Sequence, residues 1–165
     1  DTLFDDAPDT EAELARITGY FSARAHLPVP EEARILAIHT ALVDPETATV
    51  AQLVDRAGIS QRSVERICRR AFGFPPKLLL RRQRFMRSLS KFVLDPSLKW
   101  IGAMDGHYHD QAQFVRDCRR FLGMTPSQYA ALPKPLIGAV MRERARLAGA
   151  AVQTLDSPDG LRRPG

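Results

Sequence analysis

Three guanidiniums recur at helical spacing within residues 61–72: Arg62, Arg66 and Arg69. At 100° per residue they fall within about 60° of one another. The opposite side carries Val64, Ile67, Cys68 and Ala71, spaced i, i+3, i+4, i+7, as the buried stripe of an amphipathic helix requires. An arginine leaving the first turns of a helix can grip guanine O6 and N7 with two donors, a contact worth roughly 1–3 kcal/mol. Arg62 and Arg66 lie nearest the helix start, where side chains reach base edges. Beside them, Gln61 suits adenine and Glu65 a cytosine amine.

The same arrangement returns fifty residues later. Residues 60–76 read SQRSVERICRRAFGFPP and residues 110–126 read DQAQFVRDCRRFLGMTP. Seven positions match at one offset: Gln61/Gln111, Arg66/Arg116, Cys68/Cys118, Arg69/Arg119, Arg70/Arg120, Gly73/Gly123 and Pro76/Pro126. The outward face of the second copy is Ala112, Arg116 and Arg119, with Gln111 and Gln113 nearby and Val115 in place of Glu65. It suits thymine methyls beside a single guanine. Phosphate contacts fall to Arg69, Arg70, Arg82, Arg119 and Arg120, and to the helix starts at Pro76 and Thr125, where amides face outward.

Charge is distributed to match. The net charge of +5 conceals −7 over residues 1–46 and +12 over the rest. Residues 61–91 hold ten Lys or Arg and one acid, Glu65. A lone basic run is usually a solvated helix face. A basic run repeated at equivalent helical positions fits a long polyanion met at two places, and double-stranded DNA is that polyanion.

The elements that must position these side chains read as helices throughout. Runs of alternating β-branched and aromatic residues are absent, so an all-α fold is predicted. Residues 10–25 carry Leu14, Ile17, Tyr20 and Phe21 on one face, and two prolines in 26–30 end the helix. A second helix over 31–43 offers Ala33, Ile35, Leu36, Ile38, His39 and Leu42 to a core. Thr49 with Gln52 forms a capping box for a short helix whose inner side is Val50, Ala51, Leu53, Val54 and Ala57. Gly58 ends it, and Ser60 caps the next helix. A short helix, a glycine turn and a capped second helix make a helix-turn-helix. Gly73 and Pro75–Pro76 then open a long helix to about residue 94.

The second copy follows the same plan. Ser97 caps a short helix through Met104, a turn follows at 105–107, and Asp110 with Gln113 forms another capping box. Phe114, Cys118 and Phe121 point inward, and Thr125–Pro126 starts a last short helix through about Leu132. Residues 1–9 read as loose, 141–150 as a basic helix and 156–165 as disordered. Cys68 and Cys118 sit on apolar faces, so both are expected to be buried thiols without a disulfide. No stretch approaches the roughly 20 apolar residues of a membrane span, so no membrane partner is expected. His107, His109 and Asp110 read as turn surface rather than a metal site, and no cofactor is expected.

Over residues 33–132 the chain resembles the AraC/XylS-type transcription regulators. The resemblance is carried by ATVAQLVDRAGISQRSVERICRRAFGFPPKLLLRRQRF and YHDQAQFVRDCRRFLGMTPSQY. It implies two helix-turn-helix subdomains joined by a long central helix, with one monomer placing both recognition helices in successive major grooves. It also implies a cytoplasmic setting, RNA polymerase as a further partner, and an effector bound by a segment outside this chain. The chain opens on Asp1 rather than Met, as a fragment or processed piece would. The domains expected are 1–30, an acidic linker or remnant; 31–94, the first subdomain with the linker helix; 95–132, the second subdomain; and 133–165, a basic helix and tail. The family pattern implies that Arg84 ties the central helix to its neighbours. It usually has Gly at the position of His107 and often Phe at those of Cys68 and Cys118. Phe72 and Phe121 are therefore expected to fill the space the cysteines leave. Sequence-specific DNA binding is the function expected. The alternative is a helical protein-interaction module with the same shape and no base reading. An enzyme using either cysteine as an acceptor nucleophile would need an exposed thiol.

Overall fold

A computed structural model describes residues 10–25, 27–133 and 137–148. Every regular element among them is helical: α1 (Thr10–Arg24), α2 (Glu32–Val43), α3 (Val50–Ala57), α4 (Gln61–Phe72), α5 (Pro76–Leu94), α6 (Lys99–Ala103), α7 (Gln111–Leu122), α8 (Pro126–Ala131) and α9 (Ile137–Ala148). One turn of 3-10 helix, Pro96–Leu98, precedes α6. The segments read from sequence as loose, 1–9 and 156–165, lie outside the described residues.

The chain divides into two compact units, residues 1–32 and 33–165. In the first, α1 buries no residue, and Leu14 and Phe21 of its apolar face are both more than 60% exposed. The second contains two clusters of buried side chains. One gathers Ile38 and Leu42 of α2, Leu53 and Ala57 of α3, Val64, Ile67 and Cys68 of α4, and Leu79 and Leu80 of α5. The other gathers Phe85, Leu89 and Val93 of α5 with Tyr108, Phe114 and Cys118, and Met141 of α9. Helix α5 thus contributes its first half to one cluster and its second half to the other. With 19 residues it rises roughly 28 Å at 1.5 Å per residue.

Local chemistry fixes the helix ends. The Thr49 hydroxyl accepts from the Gln52 N–H while the Gln52 side chain accepts from the Thr49 N–H, the reciprocal box its sequence predicts. Gly58, Gly73 and Gly123 take left-handed φ of 65°, 77° and 73°, where a Cβ would be strained. Thr125 and Gln128 form a second complete box ahead of α8, one that sequence inspection passes over.

Several expectations need correction. Ala71 is exposed, and the neighbouring Phe72 packs against the first cluster instead. Ala33, Leu36 and Ala51, offered to the core by periodicity, are exposed as well. Ser97 lies inside the 3-10 turn and caps nothing. The Asp95 carboxylate accepts from both its N–H and its hydroxyl, so the aspartate organises that junction. At α7 the Asp110 side chain accepts from the Gln113 N–H, but the Gln113 side chain accepts from His109, one residue upstream of the cap, leaving the box open. Phe72 and Phe121 do pack against the two clusters beside the cysteines.

The turn between α6 and α7 needs no glycine at residue 107, because His107 does not adopt positive φ. Asp105 builds it. Its carboxylate accepts from the His107 N–H at 3.0 Å and from Arg87 Nε at 2.6 Å, and its own N–H donates to the Ser88 hydroxyl. Burial alone would push this carboxyl up. The Arg87 and His107 hydrogen bonds and charges outweigh that and hold it below the ordinary carboxylate value. A depressed folded-state pKa contributes stability that is complete above the unfolded value, about 3.9, and is lost as pH falls through the folded one. The urea midpoint of the protein should therefore drop between about pH 5 and pH 2. Asp105→Asn should start lower at neutral pH and decline less over that range. Parallel declines in the two proteins would show that Asp105 has no such role.

Candidate nucleic-acid interface

The two copies of the repeated sequence become two helices with nearly the same burial at equivalent positions. In α4 the buried residues are Val64, Ile67 and Cys68, and in α7 they are Phe114, Asp117 and Cys118. Both helices begin at a side-chain cap, Ser60 or Asp110, that accepts from the backbone N–H three residues on. Both end at a left-handed glycine. Arg66 and Arg116 therefore occupy the same place on equivalent helices, six residues past the cap, and both are exposed.

The remaining face of α4 is fully solvent-facing: Gln61, Arg62, Glu65, Arg69 and Arg70 are all exposed. Gln61 Nε2 donates to Glu65 Oε1 at 3.0 Å, so these two candidate readers are already coupled to each other. On α7, Gln111, Ala112, Arg116, Arg119 and Arg120 are exposed, and Val115 is half-buried. Gln111, Ala112, Val115, Arg116 and Arg119 together line a shallow open depression on the helix surface. Gln113 is half-buried, and its carbonyl is taken by His109. Arg82 on α5 is exposed. At the start of α8 the Thr125 N–H and hydroxyl both donate to Gln128 Oε1, at 2.8 and 3.0 Å, and complete the cap.

What sequence inspection misses is the carboxylate behind α7. Asp117 is fully buried, at the position where α4 has Ile67. Arg81 Nε donates to its Oδ1, the Tyr108 hydroxyl donates to its Oδ2 at 2.9 Å, and Arg84 approaches Oδ2 at 3.8 Å. Arg84 also donates to the His107 carbonyl at 3.1 Å and lies over the Tyr108 ring at 4.5 Å. Arg84 thus ties the central helix to the turn and helix beside it. A signal for Asp117 was present in the sequence: an acid at the apolar phase of a helix, between Phe114 and Cys118, facing an arginine-rich helix. A second anchor joins α6 to α8, where Trp100 Nε1 donates to the Pro126 carbonyl at 2.9 Å and its ring stacks on Phe92.

Both cysteines are fully buried free thiols. Burial pushes Cys68 up to about 11, and burial with the neighbouring Asp117 charge pushes Cys118 up to about 12. Neither is a thiolate near neutral pH, which removes the chemistry an acceptor nucleophile needs.

A family model described as a helix-turn-helix domain matches residues 53–131. No curated protein and no solved structure matches the chain. No helix among the described residues is long and apolar enough to cross a membrane.

Removing a buried carboxylate while leaving its cations in place typically costs roughly 3–5 kcal/mol. Asp117→Ala should accordingly lower unfolding free energy by about that amount in urea titration. A loss within experimental scatter of wild type would show that Arg81, Arg84 and Tyr108 do not depend on this carboxylate.

Proposed function

We propose that the chain, whose residues 53–131 match a helix-turn-helix domain model, binds double-stranded DNA sequence-specifically as the DNA-binding part of a transcription regulator, in keeping with its resemblance to the AraC/XylS type. Helices α4 and α7 act as recognition helices of two helix-turn-helix subdomains, and α5 is the spacer between them. The observation that carries this reading is the equivalence of the two helices: a side-chain cap, a left-handed glycine stop and an exposed arginine at matching positions, Arg66 and Arg116. Half-sites met by helix-turn-helix pairs lie about 34 Å apart, one turn of DNA. A rigid helix rising roughly 28 Å is of the length needed to hold two reading heads at that spacing.

Arg62, Arg66 and Arg116 contact guanine. Gln61 and Glu65 enter as a hydrogen-bonded pair, so they read adjacent bases together. Gln111 and Ala112 meet the second half-site, with Gln113 contributing its remaining amide donors. Arg69, Arg70, Arg82, Arg119 and Arg120 hold phosphates, which set register and carry no sequence information. Effector control and RNA polymerase contact belong, on this reading, to the regulator that carries this domain.

Two measurements test the assignment. With about six phosphates neutralised, log K against log salt should fall with a slope near −5. A slope near zero would instead favour the protein-interaction module. Arg66→Ala should relax preference at one base pair of the first half-site, and Arg116→Ala at one of the second. Each should cost roughly 1–3 kcal/mol on the best duplex and far less on random DNA. Arg82→Ala should weaken all duplexes alike. Equal losses on specific and random DNA for the first two variants would remove Arg66 and Arg116 from base reading.

A further inference from the structure

A cleft of about 580 Å³ opens between the start of α3, the first half of α5 and the start of α7. Its charged walls are all cationic: Lys77, Arg81, Arg84, Arg87 and Arg116, with no acid among the lining residues. Two carboxylates answer part of this charge from behind the wall, Asp117 for Arg81 and Arg84, and Asp105 for Arg87. Lys77 and Arg116 have no acidic partner among the described residues. The cleft therefore keeps a surplus of positive charge that the fold itself does not neutralise.

Hydrogen-bond capacity is also left over. The hydroxyl of Thr47, a residue only 2% exposed, has no partner, and neither does the buried Nε of Arg84; both residues line the cleft. Buried donors are rarely left unmade without a reason such as an absent ion. The α3 amino end, at Thr49 and Val50, also lines the cleft and adds the positive pole of a helix.

We propose that this cleft is an anion site that takes a phosphate group. Lys77 supplies the free charge that meets it, and Arg81, Arg84 and Arg87, fixed by their carboxylates, form a rigid cationic floor. The phosphate is either a strand phosphate of duplex DNA or a group on a small phosphorylated molecule. The site rests on the cleft alone and stands whether or not the two helices read bases.

The test is calorimetric titration of the full chain with inorganic pyrophosphate at low ionic strength. Lys77→Ala is compared with Lys91→Ala, which removes the same charge from an exposed position of α5 outside the cleft. One saturable site is expected. Losing a charge-assisted contact should weaken it about tenfold in Lys77→Ala and leave Lys91→Ala near wild type. Absence of a saturable site, or equal weakening in both variants, overturns the proposal, since general screening would then explain any heat. Duplex DNA separates the two sources. For a strand phosphate, pyrophosphate displaces DNA, and Lys77→Ala weakens duplex binding more than Lys91→Ala. For a small ligand, pyrophosphate binds the preformed DNA complex, and the two variants hold DNA equally.

Discussion

The buried carboxylate of Asp117 is the contact on which the placement of α7 depends. It takes a hydrogen bond from Arg81 and another from Tyr108, and it lies within ion-pair distance of Arg84. Two of those partners belong to α5 and the third to the segment leading into α7. Hydrophobic packing is tolerant of small rotations, because dispersion contacts have no fixed direction. A carboxylate held at defined angles is not. Such a cluster adds little net stability over an apolar replacement, because desolvating the charges offsets most of their attraction. Its consequence here is orientation: α7 cannot turn about its axis without breaking bonds to α5.

The first helix is fixed differently. At the position equivalent to Asp117, α4 has Ile67, packed in a cluster drawn from α2, α3, α4 and α5. The capping box of α3 and the left-handed Gly58 set the angle at which α4 leaves. Two helices that expose an arginine at the same position, Arg66 and Arg116, are thus held by two means, aliphatic packing for α4 and an ionic cluster for α7. Helix α5 serves both, with Leu79 and Leu80 toward the first cluster and Phe85, Leu89 and Val93 toward the second. The arginines that orient α7 also form the floor of the cationic cleft, so anchoring and anion attraction share the same groups.

Much of this was legible in the residues. Caps and stops at Thr49, Gly58, Ser60, Gly73 and Gly123 announce their helices because each has a local chemical cause. The α5 span follows from Pro75–Pro76 at one end and Asp95–Pro96 at the other. Periodicity marks Val64, Ile67, Cys68, Phe114 and Cys118 as buried, and it fails at Ala71, Ala33 and Leu36, where a neighbour covers only part of the apolar stripe. Local pattern marks Asp117 as an acid at the apolar phase of α7 but not what it binds, since its partners lie 9, 33 and 36 residues away. The same holds for the His107 turn, where Arg87 and Ser88 on another helix replace the conformational freedom of a glycine. Thr125 illustrates the converse: the amide at a helix start looks available until its local capping partner, Gln128, is counted.

On the proposed function, a single chain presents two equivalent helices to one DNA duplex at a spacing set by α5. Hydroxyl-radical footprinting of the protein on a duplex selected from random sequence tests it most directly. Two protected blocks per bound chain are expected, centred about one helical turn, roughly 10 base pairs, apart on the same face of the DNA. A single protected block, or two blocks that appear only when two chains bind, would contradict it.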